Sequence, residues 1–438
     1  MSLKIEKLVY GGYGFSKDNE KIYLIDDGYP EEVVEVDEIK RKKKTIFAKV
    51  NSIKERSPYR INSKCEHFQK CGGCQWLDYD YKHQLTSKTN IVEEQLKRIG
   101  KLDIKVNDII ASDFVYNYRA KMEFGFSYNN EVILGLKKKS SNEIVDLKSC
   151  PISPKEFDEL RNKVKIIVNK LNIQVYNSKN KKGILRSLVL RKNNINNKIM
   201  MILVTSKENF NKKEELKNEL LKLNISSLIH LVNPNNKVIL SGKYNVWYGN
   251  EFLEEKFNGI KYKVLPTSFF QNNYNVTQKM LDYVNEYLNT QNTNNKSLLD
   301  LYCGVGLFGL YFSKKFKNIK GIEVSKTSIN SAKENAKLNN IKNIDFDALD
   351  AIKFLKNSKS YDYLIIDPPR AGIGIEGVEL ISRKIREGVV YISCDPSTFA
   401  RDLSEFEKLG FKIKSVQPFD MFPNTYHIEN ISILEKIK

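Results

Sequence analysis

The most reactive side chain that this sequence predicts is the thiol of Cys394, in the segment Ser393-Cys394-Asp395-Pro396-Ser397-Thr398. The apolar run VVYISC ends at this residue, and a helix is predicted from about Ser397 to Phe406. The start of a helix lowers the pKa of a nearby thiol and favours the nucleophilic thiolate. We therefore expect Cys394 to be a nucleophile. The structural alternative is a small buried cysteine at the end of a strand.

A proton acceptor is predicted close to the end of the chain. In the segment FPNTYHIE, His427 and Glu429 alternate along a predicted strand, so both can face the same side of a sheet. Covalent chemistry at a carbon that must afterwards lose a proton requires a base. We assign that role to Glu429, with His427 as a supporting group.

A glycine-rich loop indicates a nucleotide-like ligand. Gly304, Gly306 and Gly309 have G-x-G-x-x-G spacing after the apolar strand LLDLY, and the next strand ends at Glu323, where a carboxylate can accept ribose hydroxyls. NAD enzymes and methyltransferases both show this much. The third strand is followed by Asp350, which we expect near an adenine edge and which, with the fourth strand, helps to distinguish the two classes.

The fourth strand distinguishes the two classes, because it ends in Asp367-Pro368-Pro369-Arg370. A D-P-P-[RY] tetrapeptide at the carboxyl edge of such a sheet is typical of methyltransferases that act on nucleobases; the alternative is a rigid turn that only ends a strand. Carbon 5 of uracil becomes nucleophilic once a thiolate adds to carbon 6. The combination predicts covalent methylation of a pyrimidine.

A separate group of cysteines predicts a metal centre. Cys65, Cys71 and Cys74 follow a C-x5-C-G-G-C pattern, and Cys150, before a proline, supplies a fourth thiol. Four thiolates suit either zinc or an iron–sulfur cube. The 3+1 spacing favours a [4Fe–4S] cluster over zinc, and a disulfide is not expected in a reducing compartment.

The elements that must position these residues fall into three predicted domains, and the fold class is α/β. Residues 1–58 form short alternating strands typical of a five-stranded OB-type barrel, with the basic run RKKK at 41–44. Residues 59–260 form a mixed α+β central domain that carries the cysteines, and residues 261–438 form a doubly wound, Rossmann-like sheet. A helix near 81–99 is expected to pack on the C-terminal domain.

The composition favours a nucleic-acid partner. Lys and Arg number 72 against 53 Asp and Glu, a formal net charge of +19 spread along the chain, which attracts polyanions such as RNA. An AT-rich genome that enriches Lys and Asn is the alternative explanation. No apolar run is long enough to span a membrane. We expect a cytoplasmic protein that is monomeric.

Taken together, these motifs resemble the RNA uracil-5-methyltransferase family, and specifically its branch with an iron–sulfur cluster and a TRAM domain that acts on 23S ribosomal RNA. The motifs are the cysteine pattern, D-L-Y-C-G-x-G, D-P-P-R, S-C-[ND]-P-x-T and M-F-P-x-T-x-H-x-E, and they span nearly the whole chain in this order. Asp395 stands where Asn is commoner, and Pro369 where some relatives carry Ala. Neither departure removes a reacting group.

The resemblance implies a function and a set of residue roles. It implies methyl transfer from S-adenosylmethionine to carbon 5 of a uridine, with residues 1–58 as a TRAM barrel that binds RNA. It implies the nucleophile Cys394, the base Glu429, the cluster ligands Cys65, Cys71, Cys74 and Cys150, the cleft residues Gln271, Tyr302, Glu323 and Asp367, and the RNA-contacting Arg119.

Four other interpretations remain open at this point. A transfer RNA uracil-5-methyltransferase is the first alternative. A cytosine-5 methyltransferase uses a related covalent step but usually carries a second motif cysteine, which is absent here. A radical enzyme requires C-x3-C-x2-C spacing, which these cysteines lack. A non-catalytic RNA-binding protein accounts for the charge but leaves Cys394 and Glu429 without a role.

Overall fold

The computed structural model describes residues 2–234 and 238–437 of the chain. Residues 2–55 form one six-stranded sheet, ordered β1-β5-β6-β4-β3-β2. Its strands are β1 (Ser2–Lys4), β2 (Lys7–Val9), β3 (Tyr13–Asp18), β4 (Lys21–Asp26), β5 (Val33–Lys42) and β6 (Thr45–Glu55). Only Ile5 and Glu6 separate the two edge strands, and their N–H groups donate to Glu32 and Phe15 carbonyls at 2.8 Å. This interruption between β1 and β2 brings the two edges of the sheet together. It also divides the first segment into two strands, so the sheet has six strands where the sequence predicts five.

The helix α1 (Tyr81–Gln95) starts at the residue that the sequence pattern predicts. Asp80 caps it, accepting hydrogen bonds from the N–H groups of Lys82 and His83. A single π-helical turn, Leu96–Gly100, follows and ends in the left-handed Lys101. At Gly100 an added Cβ would lie 2.8 Å from the carbonyl oxygen of Ala400, so glycine allows this turn to pack closely on the C-terminal region.

The middle of the chain forms a seven-stranded sheet, ordered β13-β12-β11-β10-β7-β8-β9. Its strands are β7 (Lys121–Asn129), β8 (Glu131–Lys137), β9 (Ile144–Asp146), β10 (Leu185–Lys192), β11 (Ile199–Thr205), β12 (Ser227–Val232) and β13 (Lys243–Gly249). The helices α2 (Lys155–Leu171) and α3 (Lys213–Leu220) bury apolar faces in one core with this sheet. A hairpin, β14 (Leu253–Phe257) and β15 (Ile260–Val264), packs in the C-terminal core, and the predicted domain boundary at 260 falls inside it.

The C-terminal region is a seven-stranded sheet with helices on both faces, ordered β18-β17-β16-β19-β20-β22-β21. Its strands are β16 (Ser297–Leu301), β17 (Asn318–Glu323), β18 (Ile344–Ala348), β19 (Tyr361–Ile366), β20 (Ile385–Ser393), β21 (Phe411–Phe419) and β22 (Glu429–Lys436). Its helices are α4 (Tyr274–Asn289), α5 (Leu307–Tyr311), α6 (Lys326–Leu338), α7 (Ala351–Asn357), α8 (Gly374–Lys384) and α9 (Pro396–Lys408). The pairings among β16 to β20 are parallel, whereas β22 runs antiparallel to both of its neighbours.

The reversed strand matters because its first residues lie at the carboxyl edge of the parallel strands. Ser393, the last residue of β20, pairs with Asn430 in β22. Cys394 and Glu429, which flank this pair, are therefore brought to the same edge of the sheet. In the part of the chain that the structure describes, no helix is long and apolar enough to cross a membrane.

A glycine in the middle sheet provides a test of this fold. A Cβ on Gly135 would lie 1.9 Å from the backbone oxygen of Val145 in the paired strand, and backbone cannot move aside as a side chain can. Gly135→Ala should therefore lower the free energy of unfolding by about 2 kcal/mol or more. Lys137→Ala, at an exposed site on the same strand, is the control and should change it by less than about 0.5 kcal/mol. Urea unfolding measures both, and equal effects would contradict the packing described.

Candidate functional site

The strand ends of the C-terminal sheet open into a cleft of about 2830 Å³ that also reaches the middle sheet. The cleft is lined by most of the residues that the sequence singles out, namely Arg119, Gln271, Tyr302, Glu323, Asp367, Cys394, His427 and Glu429. These residues are up to several hundred positions apart in sequence. The carboxyl edge of the sheet therefore collects them, as expected for an open α/β sheet.

The glycine loop after β16 supports a close approach to this cleft. Tyr302, Gly304 and Gly306 all have positive φ angles (60°, 54° and 86°), which a tight turn requires. The N–H of Gly309 donates to Asp300 Oδ2 at 2.8 Å, and a Cβ on Gly309 would lie 2.8 Å from that oxygen. The third glycine thus lets α5 pack closely on Asp300. This carboxyl group is buried, and burial raises its pKa to about 7.

Glu323 and Asp350 have different surroundings, although both follow strands of this sheet. Glu323 lines the cleft, and its Oε1 accepts the N–H of Ser325 at 2.9 Å. Asp350 is exposed and is absent from the lining residues. It caps α7 through a 2.9 Å bond from the N–H of Lys353. Burial and, next, the charge of Asp350 raise the pKa of Tyr302, which lines the cleft. Asp350 therefore lies near the cleft without lining it.

Two buried carboxyl groups, Asp367 and Glu429, lie near the Cys394 thiol. Burial raises the pKa of Asp367 to about 7. Burial, and next the charge of Asp367, raises the pKa of Glu429 well above its usual range, because two neighbouring buried carboxyls resist ionising together. Burial, followed by the charges of Glu429 and Asp367, raises the pKa of the Cys394 thiol to about 12.

The prediction that a helix start lowers the pKa of Cys394 is therefore wrong for the ligand-free protein. The physical reason is burial and, next, the charges of Glu429 and Asp367. At the helix start itself, Asp395 occupies the cap of α9 and accepts the N–H groups of Ser397 and Thr398 at 2.9 and 3.1 Å. Those donors are satisfied by a carboxylate, and the thiol is left beside buried acids. Desolvation and negative charge outweigh the helix end.

Arg370 is the cation that opposes this negative charge. It lies close enough to the Cys394 thiol to lower its pKa, and it lowers the pKa of Glu429 as well. Arg370 receives no role from the sequence analysis. D-P-P-R and Cys394 follow consecutive strands, however, and this order in the sequence is a signal that the two lie at the same sheet edge.

Tyr10, in the turn between β2 and β3, is a second residue that the sequence analysis does not single out. Its hydroxyl donates to Asp395 Oδ2 at 3.1 Å, and its ring meets the edge of Tyr426 with centroids 5.8 Å apart. The N-terminal sheet therefore borders the cleft beside Cys394.

His427 and Arg119 lie on the side of the cleft formed by the segment before β22. Burial, and next the positive charge of Arg370, lowers the pKa of His427 to about 4, so its ring is neutral near pH 7. His427 precedes the strand rather than lying in it, but it lines the cleft together with Glu429. The Arg119 guanidinium lies 5.9 Å from the centre of the Phe422 ring, and its Nε is buried without a hydrogen-bond partner among the described residues.

The four clustered cysteines line one small apolar cavity, together with Phe68, Leu77, Leu136 and Leu147. All four are free thiols: Cys65, Cys71, Cys74 and Cys150. Burial raises the pKa of each, and for Cys74 the neighbouring thiols add to the shift. The N–H of Gly73 donates to the sulfur of Cys71 at 3.4 Å. Among the residues described, no group of three or more His, Cys, Asp or Glu side chains is arranged to hold a metal ion.

Comparison with known sequences gives a consistent result. A family model described as tRNA (Uracil-5-)-methyltransferase matches residues 80–437. A Thermotoga maritima protein named uncharacterized RNA methyltransferase is 39% identical over 438 residues, covering 99% of this chain and 98% of the relative. A Fusobacterium nucleatum protein, also named an uncharacterized RNA methyltransferase, is 33% identical and covers 100% of this chain and 96% of its own length.

The fold is also similar to a solved structure along its whole length. The structure is that of Pyrococcus abyssi tRNA (uracil-54, C5)-methyltransferase in complex with S-adenosyl-L-homocysteine. The TM-score is 0.81 at 26% sequence identity, and 99% of each chain is covered. The C-terminal sheet with its reversed strand is thus an α/β methyltransferase fold, and the likeness includes the N-terminal and middle sheets.

The raised pKa of Cys394 predicts how its alkylation depends on pH in the ligand-free protein. With a pKa of about 12, the thiolate fraction of Cys394 should rise about tenfold per pH unit from roughly pH 7 to 10. The thiolate fraction of a thiol with the ordinary pKa of 9.0 would instead level off towards the upper end of this range. Mass spectrometry of the Cys394 peptide after brief iodoacetamide treatment measures the rate. Arg370→Met should slow alkylation further. A rate that levels off near pH 9 in folded protein would contradict the electrostatics described.

Proposed function

The chain belongs to the tRNA (uracil-5-)-methyltransferase family and is an S-adenosylmethionine-dependent RNA methyltransferase, and we propose that it methylates carbon 5 of uridine through a covalent bond from Cys394. The single observation that carries the proposal is the pairing of Ser393 with Asn430, because it brings Cys394 and Glu429 to the same edge of the sheet. A nucleophile and a base at one cleft match the two steps that the chemistry needs.

The first step is the addition of the Cys394 thiolate to carbon 6 of the uracil ring. Arg370 lowers the pKa of this thiol and partly offsets the charges of Asp367 and Glu429, so it stabilises the thiolate form. When bound, S-adenosylmethionine would supply an electrophilic methyl group, which carbon 5 would take with the electron pair freed by addition at carbon 6, leaving S-adenosylhomocysteine. Gln271, Tyr302 and Glu323 line the part of the cleft proposed for this cosubstrate, with Asp350 near its rim.

The second step removes the proton from carbon 5 and releases the enzyme. Glu429 accepts the proton, the electron pair of the C–H bond forms the C5=C6 double bond, and the C6–S bond breaks with its pair returning to Cys394. A carboxylate with a raised pKa is well matched to this task, because it binds a proton strongly. Neutral His427 beside it adds no competing positive charge.

The other two regions are proposed to grip a folded RNA. The six-stranded sheet of residues 2–55, with meeting edges, supports an OB-type TRAM barrel, and its exposed β5–β6 turn carries the basic run 41–44. Arg119 is proposed to contact the RNA, since its side chain lines the cleft beside the Phe422 ring. A uridine flipped from its stack would then reach Cys394.

The RNA target has two candidates. The motif order resembles the branch that acts on 23S ribosomal RNA, which we propose as the first substrate. Transfer RNA is the second, because the Pyrococcus abyssi protein with the same architecture over 99% of both chains is a tRNA (uracil-54, C5)-methyltransferase. The combination of N-terminal sheet and cysteine region therefore does not by itself distinguish the two RNAs.

Methyl transfer from labelled S-adenosylmethionine to unmodified 23S ribosomal RNA and transfer RNA, with nucleoside analysis, tests the reaction. We expect 5-methyluridine, and Cys394→Ala should lower turnover by about 10³-fold or more. Cys303→Ala is the matched control, because the Cys303 sulfur packs towards Gly321 and away from the cleft lining. Label in 5-methylcytidine would overturn the base assignment, and binding of both RNAs without label would favour a binding module.

We further propose that Cys65, Cys71, Cys74 and Cys150 hold a [4Fe–4S] cluster with a structural role. Four thiols that line one apolar cavity and a backbone N–H directed at the sulfur of Cys71 fit such a group.

Elemental analysis tests the cluster. Protein purified without oxygen should contain about four iron and about four acid-labile sulfide per chain, and Cys74→Ser or Cys150→Ser should lower both. Cys303→Ser should leave both unchanged. Zinc without labile sulfide would contradict the cluster, and loss of the cluster with no change in fold or RNA binding would contradict its structural role.

A further inference from the structure

The connection between β21 and β22 is held by residues outside the sheet that it belongs to. This segment, Asp420–Asn424, has no regular structure, and it leads within five residues to Glu429. Its polar groups bind mainly to the part of the chain between residues 75 and 118. The position of the proposed base therefore depends on a region far from it in sequence.

The first attachment is a buried ion pair at the start of the segment. Lys88 Nζ, on α1, donates to Asp420 Oδ1 at 2.5 Å and to the carbonyl of Phe422 at 3.2 Å, and both charged side chains are fully buried. The Tyr81 hydroxyl donates to Asp420 Oδ2 at 2.8 Å. A buried charge without its partner is costly, so this pair strongly favours one geometry.

The second attachment surrounds Asn424, a buried residue with a φ of 66°. Its carbonyl accepts the backbone N–H groups of Gln75 and Trp76 at 3.1 and 3.0 Å. Its own N–H donates to Gln84 Oε1 at 3.0 Å, and its Oδ1 accepts from Gln84 Nε2 at 3.3 Å. Its Nδ2 donates to the carbonyl of Val115 at 2.9 Å. We call these contacts the Asn424 clamp.

The clamp joins two sites that the sequence keeps apart. Gln75 directly follows Cys74, which lines the cysteine cavity. Between Asn424 and Glu429, Thr425, Tyr426 and His427 all line the cleft. Tyr118 adds a bond from its hydroxyl to the carbonyl of Pro423 at 3.1 Å.

We propose that Gln84 and Lys88 are positioning residues that place Glu429 for removal of the proton from carbon 5. The inference rests on the proposed function and concerns its second step. With the clamp intact, Glu429 takes the proton, the C–H electron pair forms the C5=C6 bond, and the C6–S pair returns to Cys394. With the clamp broken, the base is displaced, and the methylated RNA remains bonded to the Cys394 sulfur.

Gln84→Leu tests the proposal, because leucine has a similar volume and removes both side-chain bonds to Asn424, together with those from Gln84 Nε2 to the carbonyls of Trp76 and Tyr79. We expect kcat to fall by about 10²-fold, the scale for a displacement near 1 Å, while RNA affinity is retained. We also expect a covalent RNA–protein complex carrying the methyl label to accumulate, visible on a denaturing gel. Gln278→Leu is the matched control on α4, where the amide bonds Asp282 and Tyr311, and it should give neither effect.

Glu429→Gln separates this inference from the function on which it rests. If Glu429→Gln accumulates the labelled complex but folded Gln84→Leu turns over at the normal rate without it, the positioning role is overturned and the function stands. If Glu429→Gln turns over normally and gives no complex, Glu429 is not the base, and the function on which the inference rests fails at its second step. In the double variant, Gln84→Leu should add nothing to the effect of Glu429→Gln, and an additive loss would contradict positioning.

Where Gln84→Leu does not fold, Gln84→Glu provides the same test. It keeps the oxygen that accepts the Asn424 N–H and loses the donor to the Asn424 side chain and to the carbonyls of Trp76 and Tyr79. We expect kcat to fall, with the same accumulating complex. Normal turnover without the complex overturns the proposal for this variant as well.

Discussion

The antiparallel insertion of β22 between β20 and β21 is the constraint on which the site depends. A parallel strand in that position would begin at the opposite edge of the sheet, and Glu429 would lie a full strand length away from Cys394. The reversed strand begins where β20 ends, so a nucleophile and a carboxylate from distant parts of the chain meet. The reversed strand also requires a connection from β21 that turns at the edge of the cleft.

That connection explains why the regions of the chain are interleaved. The C-terminal sheet cannot by itself satisfy the polar groups of Asp420–Asn424, because their partners lie on α1 and on the segments beside Cys74 and Tyr118. Buried polar groups without partners are costly, so the C-terminal sheet needs the middle of the chain to complete its edge. The cysteine region is therefore in direct contact with the proposed active site.

Sequence patterns predicted the strand ends and the residues that the cleft collects, because motif residues at the ends of consecutive apolar runs must meet at one sheet edge. They did not predict Lys88–Asp420 or Tyr10–Asp395, since the partners are separated by 332 and 385 positions and no local pattern relates them. The pKa of Cys394 was mispredicted for a similar reason. A helix start can be seen in sequence, but the buried carboxyls around it cannot.

The same electrostatics bears on the reaction proposed for Cys394. Asp367 and Glu429 oppose ionisation of this thiol, and Arg370 compensates only in part. A positive charge bound nearby lowers the pKa of a thiol, whereas a neutral ligand of the same shape does so far less. S-adenosylmethionine carries that charge and its demethylated product does not. A buried acidic site therefore favours the thiolate when a methyl donor is present and the less reactive thiol after the methyl group has left.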